Sequence, residues 1–251
     1  MLDKVSGGWQ LSVFDELDST NNEALRRLEN GEETGGIILA KSQTNGKGRN
    51  GKKWVSGQGN LLMSATVTIP NDRCPSDLAF VAAVAAGEAV DTILPLSKNV
   101  QIKWPNDLLI EGKKTGGILV ESLGARQKAV IGIGINLKSA PKVGGINATC
   151  MESYGVSVTA MEMVNIVGLE LNEWLTRWEK DGLPTIVKQW KKSAMGLGET
   201  ISIRLANDDV LLGRFDDILD DGRLLLREAK GKIRYITSGE VFFGSTNVTC
   251  D

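Results

Sequence analysis

An alanine-rich segment at residues 75–94 constrains the fold of this chain more than any other part of the sequence. It has no internal proline and is apolar on all sides, which predicts a long buried helix. Closely spaced strands are predicted at residues 61–69 before it, and at residues 100–104, 108–111, 118–122 and 129–135 after it. A buried helix needs such a sheet to pack against. The chain is therefore predicted to be α+β, with a mixed, mostly antiparallel sheet and flanking helices.

Further elements are predicted on both sides of this core. Strands are expected at residues 9–14 and 37–41, and the alternation at residues 61–69 indicates a half-exposed strand. Thr20-x-x-Glu23 is a capping box that opens a helix ending at Gly31, and Thr159-x-x-Glu162 opens another that ends near Gly182. Pro184 begins a further helix that runs to about Ala194.

The pattern changes after Gly196. Short alternating strands at residues 200–205, 210–216, 223–228 and 232–237 are separated by Asp/Gly turns. This predicts a small β-barrel, and hence two domains, at residues 1–195 and 196–251.

The composition limits which kinds of catalysis, metal site and binding partner are expected. The chain has 251 residues and no histidine, which excludes Ser-His-Asp and Cys-His catalysis and His-ligated metal centres. A net charge of -2 gives no global attraction to nucleic acid or to an anionic membrane. Cys74, Cys150 and Cys250 are isolated, so neither a disulfide framework nor a cysteine zinc site is expected. No secretion signal or membrane span is recognised, and the expected compartment is the cytoplasm.

The segment from Gly46 to Trp54, here called the basic loop, is the strongest local signal. It holds four cations and three glycines. Glycines let the backbone approach a ligand and cations favour phosphate oxygens, so an anion-binding loop is predicted, with a solvated surface loop as the alternative. A P-loop is rejected because Lys53 stands where a Ser or Thr should hold magnesium.

Three further motifs carry polar or glycine residues at strand ends. Residues 103–107 end a strand with Trp104-Pro105 and place Asn106 beside Asp107, although a simple turn would have the same sequence. Residues 113–121 place Lys114 before two glycines, which a β-bulge would also explain. Residues 132–136 lack the third glycine of a dinucleotide fingerprint, so that interpretation is rejected.

These motifs, in this order and together with Asp18-Ser19-Thr20-Asn21 and Gln43, resemble the successive motifs of biotin protein ligases. The end of the chain, Ser238 to Phe243, is similar to the small SH3-like C-terminal domain of that family. The resemblance implies a class II synthetase-like fold and a ligase that forms a carbon–nitrogen bond. Biotin would be activated with ATP to biotinyl-5′-AMP and then passed to a lysine ε-amine of a biotin carboxyl carrier protein.

The resemblance also implies roles for individual residues. Lys114 matches the catalytic lysine between the biotin carboxylate and the α-phosphate. Arg49, Lys47 and the Gly48 backbone match positions that touch the phosphate, with Lys47 where the family usually has arginine. The remaining matches are Ser19, Thr20, Asn21, Gln43, Gly116 and Gly117 for biotin, Trp54 and Asn136 for the adenine and ribose side, and Asn106 and Asp107 for orienting Mg²⁺ or the carrier lysine.

Other functions are weighed against this one. The first matching motif begins at Asp18, which leaves no room for an N-terminal DNA-binding domain, so a ligase without repressor function is expected. A lipoate- or octanoyl-transferring relative is the closest enzyme alternative, and the basic loop argues against it. A nucleic-acid or protein-binding module on the C-terminal barrel is the non-enzyme alternative, and the Asp-rich strands argue against nucleic acid. The carrier, the Mg²⁺ ligands and homodimerisation through the sheet are left open.

Overall fold

A computed structural model of the chain describes residues 3–123, 127–142 and 147–243. It contains an eight-stranded and a five-stranded sheet. The strands of the first sheet are β1 (Asp3–Lys4), β2 (Gln10–Leu17), β3 (Gly36–Gln43), β4 (Leu61–Thr68), β5 (Val100–Lys103), β6 (Asp107–Ile110), β7 (Lys113–Leu123) and β8 (Lys128–Ile135). The α-helices within these ranges are α1 (Thr20–Glu29), α2 (Asp77–Asp91), α3 (Ala160–Asp181) and α4 (Leu183–Trp190).

The large sheet has the strand order β1-β2-β3-β4-β8-β7-β6-β5. Strands β2 and β3 are parallel, and the other neighbouring pairs are antiparallel. The predicted mixed, mostly antiparallel sheet is confirmed. The parallel pair arises because α1 connects β2 to β3 and returns the chain to the same end of the sheet, as a crossover connection must.

The two faces of this sheet are covered differently. Helices α2, α3 and α4 pack together on one face, and α2 is buried along nearly its whole length, as predicted. Helix α1 covers part of the opposite face, where Ala24 and Leu28 meet Ile38 and Val130. Because side chains alternate along a strand, the next residues of β8 on that face are Gly132, Gly134 and Asn136. The part of the face beyond α1 therefore has little side-chain cover.

Two local predictions in this region are wrong. Strand β4 was expected to be half-exposed, but all of it except Thr68 is buried, because helices cover one face and α1 covers the other. The capping box at Thr20 is absent: Ser19 is the N-cap, and Glu23 pairs with Arg26 and Arg27 instead. The amide of Gln43, at the end of β3, takes over the capping role by accepting the Thr20 N–H at 2.7 Å.

Helix α3 follows the sequence prediction closely. Thr159 and Glu162 form the predicted capping box, and Gly182 ends the helix. Trp174 and Trp178 are both buried, and their ring nitrogens donate to Glu88 and Asp77 of α2. Helix α4 begins with Pro184 in its first turn and ends at Trp190.

The second sheet consists of β9 (Thr200–Arg204), β10 (Val210–Ile218), β11 (Leu224–Glu228), β12 (Ile233–Ile236) and β13 (Glu240–Phe243), in the order β12-β11-β10-β9-β13. It is antiparallel throughout, and β13 was not among the strands predicted. Lys103 Nζ of β5 donates to the Val241 carbonyl of β13 at 3.4 Å, and the Trp104 indole donates to the Gly222 carbonyl at 3.3 Å. The two sheets are thus in direct contact, and the division at residue 196 stays a prediction.

Two further expectations from the composition concern the cysteines and the length of the apolar helices. Cys74 is exposed and Cys150 is buried, both as free thiols, and Cys250 lies outside the described residues. Within the described ranges, none of the helices combines the length and apolar character needed to cross a bilayer.

Candidate active site

A cavity of about 530 Å³ lies on the face of the large sheet that α1 leaves uncovered. That volume lies in the range of small-molecule sites, which hold an organic ligand and a few oriented polar groups. Its walls are built from the start of α1, the end of β3, the basic loop, β7, β8 and the start of β13. The predicted site residues that line it are Ser19, Thr20, Asn21, Gln43, Lys47, Gly48, Arg49, Trp54, Asn106, Asp107, Lys114, Gly117 and Asn136.

Gly116 is the predicted site residue that does not line the cavity. A Cβ added there would lie 3.0 Å from the Gly134 carbonyl oxygen and 3.1 Å from Leu108 Cδ1. Gly116 therefore allows close packing between neighbouring strands, and its contact with biotin stays a prediction. Gly117, on the opposite face of the strand, borders the cavity.

One end of the cavity is neutral and polar. Thr20, Asn21, Gln43 and Ser64, here called the polar cluster, are joined by hydrogen bonds: Thr20 Oγ1 donates to Gln43 Oε1 at 3.1 Å, and Ser64 Oγ lies 2.7 Å from Thr20 Oγ1 and 2.6 Å from Asn21 Oδ1. Thr20, Asn21 and Ser64 are buried. Such a connected group of hydroxyls and amides suits a polar, uncharged ligand ring.

Gly132 makes room for this cluster. A Cβ added to Gly132 would lie 2.2 Å from Asn21 Oδ1, closer than any real contact. The glycine is therefore required where Asn21 crosses β8.

The opposite end of the cavity is cationic. Lys114 Nζ lies 2.6 Å from Asp107 Oδ1, and Lys103 Nζ lies 3.5 Å from the other carboxylate oxygen. Arg49 Nη1 donates to Asn106 Oδ1 at 2.8 Å, and Asn106 is held in turn by its bond to the Ile118 carbonyl. Three cations thus converge around one carboxylate, and this surplus of positive charge suits a polyanion.

Arg49 is half-buried. Burial lowers the pKa of its guanidinium, and the charges of Asp107 and Glu240 act in the opposite direction. Its hydrogen-bond partner in the cavity wall, Asn106, is neutral. A guanidinium without a close carboxylate partner retains bonding capacity for an incoming anion.

Trp54 ends the basic loop and lies over Gly117 of β7 and Gly134 of β8. A Cβ added to Gly134 would lie 2.6 Å from the indole, and one added to Gly117 would lie 3.1 Å from it, so these glycines form a flat seat for the ring. Lys114 Nζ lies 5.7 Å from the ring centroid. The aromatic ring therefore lies on β7 and β8 beside Lys114.

Two buried polar atoms in the cavity wall have no hydrogen-bond partner among the described residues: Trp54 Nε1 and Asn136 Oδ1. The amide nitrogen of Asn136 donates to the Thr149 carbonyl at 3.1 Å, which fixes the orientation of its oxygen. An unpaired buried acceptor is costly, and a ligand donor would satisfy it.

Several residues of this site were not predicted from the sequence. Ser64 was expected on a half-exposed strand, while Lys103 and Glu121 were within recognised motifs but received no role. Glu240 and Val241 of the second sheet line the cavity, as does the preceding Gly239, and Lys52 Nζ lies 2.7 Å from Glu240 Oε1. No local signal could have revealed these contacts, because they join segments far apart in the sequence.

The fold and the cavity together define a protein with a small-molecule site, and comparison with known proteins specifies its class. Residues 13–137 match the biotin/lipoate A/B protein ligase family, and residues 196–244 match the biotin protein ligase C-terminal domain. The chain is 33% identical to the biotin–[acetyl-CoA-carboxylase] ligase of Paracoccus denitrificans over 237 residues, which are 90% of this chain and 98% of that one. The enzyme of the same name from Mycobacterium tuberculosis is 30% identical over 93% of this chain and 89% of its own.

A solved structure agrees with this assignment. The biotin protein ligase from Aquifex aeolicus, in complex with biotin and ATP, matches with a TM-score of 0.80 and 27% identity, covering 92% of this chain and 97% of that one. The chain belongs to the biotin protein ligase family. The family and fold class predicted from the sequence are confirmed.

Proposed function

We propose that the cavity binds biotin at the polar cluster and ATP at the cationic end, so that the chain activates biotin as biotinyl-5′-AMP and transfers it to a carrier lysine. The observation that carries this proposal is the division of one cavity into a neutral hydrogen-bonding end and a cationic end that contains Lys114. The relatives named above catalyse, by their names, the same ligation.

The neutral end suits the ureido ring of biotin, which carries one carbonyl acceptor and two N–H donors. Thr20 and Asn21 offer hydroxyl and amide groups, and Ser19 lines the same region. Placing the ring there would direct the biotin carboxylate toward Lys114 and Arg49. Trp54, seated on Gly117 and Gly134, would then pack against the chain between ring and carboxylate.

The reaction requires a carboxylate oxygen to attack the α-phosphorus of ATP, with pyrophosphate leaving. Two anions must approach each other, and the bond-forming step concentrates negative charge at phosphorus. Lys114 and Arg49 would neutralise that charge, Lys47 and the Gly48 backbone would contact the phosphate, and Trp54 would cover the mixed anhydride against water. No step needs a histidine.

Magnesium is expected to enter with ATP. In the described part of the chain, no group of three or more acidic, cysteine or histidine side chains could hold a metal, and Asp107 and Glu240 are the carboxylates that line the cavity. Magnesium typically binds through one or two carboxylates and substrate phosphates, so the residues present fit a nucleotide-borne ion. Asp107 would supply the protein ligand, and the ion would neutralise phosphate charge.

The second half-reaction needs a neutral amine. Asp107 lies beside Lys114 at the cavity wall and would accept a proton from the ε-amine of the carrier lysine as that amine attacks the acyl carbon and AMP leaves. The acceptor would be a biotin carboxyl carrier protein of the acetyl-CoA carboxylase type, as the names of the relatives indicate. Action in the cytoplasm, homodimerisation and the absence of DNA binding stay predictions.

Activity is tested by incubating the protein with biotin, ATP and Mg²⁺. We expect biotin-dependent pyrophosphate release, followed by a mass increase of an added biotin carrier domain at one lysine. Lipoate in place of biotin should give neither product. Tight lipoate binding together with indifference to biotin would instead place the chain with the lipoate-transferring relatives.

The biotin end is tested by Gly132→Ala. The added Cβ would displace Asn21 from its bonds to Ser64 and Glu121, and losing one or two buried hydrogen bonds should weaken biotin binding by about tenfold or more. Calorimetric titration with biotin measures this. Gly36→Ala is the matched control, because a Cβ there would meet Thr66 Oγ1 at an ordinary 3.6 Å. Unchanged biotin affinity in Gly132→Ala would show that Asn21 does not recognise biotin.

The nucleotide end predicts a preference for adenine. Asn136 Oδ1 is an oriented acceptor without a partner among the described residues, and the exocyclic amine of adenine would donate to it. Inosine triphosphate presents a carbonyl oxygen instead and would leave two acceptors facing each other, at a cost of about 1–3 kcal/mol. The KM for inosine triphosphate in pyrophosphate release should therefore exceed that for ATP by about tenfold or more. Equal KM values would place the adenine elsewhere.

A further inference from the structure

Glu121, on β7, is a partly buried carboxylate that the mechanism above does not use. Its side chain is 29% exposed, and its two oxygens have different partners. One oxygen lies 3.4 Å from Lys47 Nζ in the basic loop, and the other accepts from Asn21 Nδ2 at 2.8 Å. A single carboxylate therefore joins the basic loop to the polar cluster.

The basic loop also lies against a second member of the polar cluster, Gln43. A Cβ added to Gly46 would lie 2.9 Å from Gln43 Nε2 and 2.5 Å from the Trp54 carbonyl oxygen, so the loop backbone lies directly on this amide. The oxygen of the same amide accepts from Thr20. The stem of the loop, Gly46 and Lys47, thus rests on both ends of one hydrogen-bonded cluster.

The ion pair between Glu121 and Lys47 has the strength expected for a contact that lets the basic loop open and close. The Lys47 side chain is 36% exposed, and partly exposed ion pairs change equilibria by about two- to fivefold. Asn21 takes part in both the carboxylate bond and the bonds of the polar cluster, so a ligand that orders its amide also orders Glu121. By thermodynamic linkage, a loop held closed must favour that ligand by the same factor.

We propose that Glu121 is a positioning residue that couples biotin occupancy to closure of the basic loop, by holding Lys47 against the amide of Asn21. This inference rests on the proposed function, since it requires biotin at the polar cluster. It also gives Lys47 a second role beside its proposed phosphate contact, because its ammonium pairs with one oxygen of Glu121. The loop then closes over the acyl-adenylate once biotin is in place.

Limited trypsin digestion tests the coupling, since the basic loop carries Arg49, Lys52 and Lys53 as cleavage sites. In wild type, biotin should slow cleavage at these sites. Glu121→Gln keeps the side-chain shape and removes the charge. It should speed cleavage of the ligand-free loop about two- to fivefold and reduce the protection by biotin to a similar extent. It should also raise the ratio of pyrophosphate released to biotin transferred.

A double-mutant cycle separates coupling from a general structural effect. If Lys47 and Glu121 act through each other, adding Lys47→Met to Glu121→Gln should change loop cleavage no further. Asp15→Asn, which removes an exposed carboxylate from its 2.7 Å pair with Lys41 on the same sheet, should behave as wild type. Lys47→Met alone carries the test if Glu121→Gln does not fold, because Lys47 lies in the loop and not in the sheet.

The outcomes distinguish the two proposals. Wild-type protein that does not bind biotin would refute the proposed function, and the coupling with it. Wild-type protein that binds biotin, with loop cleavage and adenylate retention unchanged in Glu121→Gln, would refute the coupling alone. Fully additive effects of Lys47→Met and Glu121→Gln would do the same.

Discussion

Lys114→Ala should abolish biotin-dependent pyrophosphate release. The ammonium lies in the cationic end of the cavity, 2.6 Å from Asp107. At about 4 Å from a phosphate oxygen, in a partly desolvated site, one unit charge contributes roughly 4 kcal/mol. Loss of that contribution at the transition state would slow adenylate formation by about a thousandfold. The rate is measured in single-turnover reactions with labelled ATP.

The matched control is Lys113→Ala. Lys113 is the preceding residue of β7 and is exposed. Its substitution therefore removes the same charge from the same strand without altering the cavity. The Lys114→Ala variant should still fold, because Lys103 remains beside Asp107 at 3.5 Å. A thermal unfolding curve verifies this. Pyrophosphate release at the wild-type rate in a folded Lys114→Ala protein would refute the role assigned to Lys114.

Arg49→Ala should uncouple the two half-reactions. The half-buried guanidinium donates to the neutral Asn106 and retains donors for a phosphate. A charge-assisted hydrogen bond of this kind contributes about 1.5–3 kcal/mol, so its loss should speed escape of the adenylate by about ten- to a hundredfold. Pyrophosphate release would continue, whereas the fraction of biotin that reaches the carrier domain would fall.

The measurement for Arg49 is therefore the ratio of pyrophosphate released to biotin transferred. Two further arginine variants serve as controls. Arg49→Lys keeps the charge but loses the planar fork, and it should retain the adenylate to an intermediate degree. Arg234→Ala removes an exposed arginine of β12 that pairs with Glu228, and it should transfer biotin as wild type does. If Arg49→Ala releases no more free adenylate than wild type, Arg49 does not close over the intermediate.

Local elements with strong signals were predicted correctly. The apolar segment around Val81 to Val90 forms α2, and Thr159 with Glu162 caps α3, because neither depends on distant residues. The elements that were predicted wrongly depend on their tertiary neighbours. Strand β4 looked half-exposed because Ser64 and Thr66 are polar, yet both hydroxyls are satisfied by residues from other strands and from α1.

The candidate site also combines features that are visible in the sequence with contacts that depend on tertiary neighbours. Glycines at positions 117, 132 and 134, the cations of the basic loop and the absence of histidine are visible in the sequence, and they predict an anion-binding pocket that works without imidazole. The sequence places Thr20 in a capping box with Glu23. The folded chain uses Gln43 as the cap instead, because β3 ends beside the start of α1.

The sequence by itself therefore determined the family, the fold class and which residue types are available for chemistry, because motif order, strand periodicity and composition are local properties. The tertiary structure decided which of these residues act together. It paired Lys114 with Asp107, placed Glu240 of the second sheet against Lys52, and set Glu121 between Lys47 and Asn21. Each pair joins side chains from different elements, and only packing of the strands and loops brings their charges within a few ångströms.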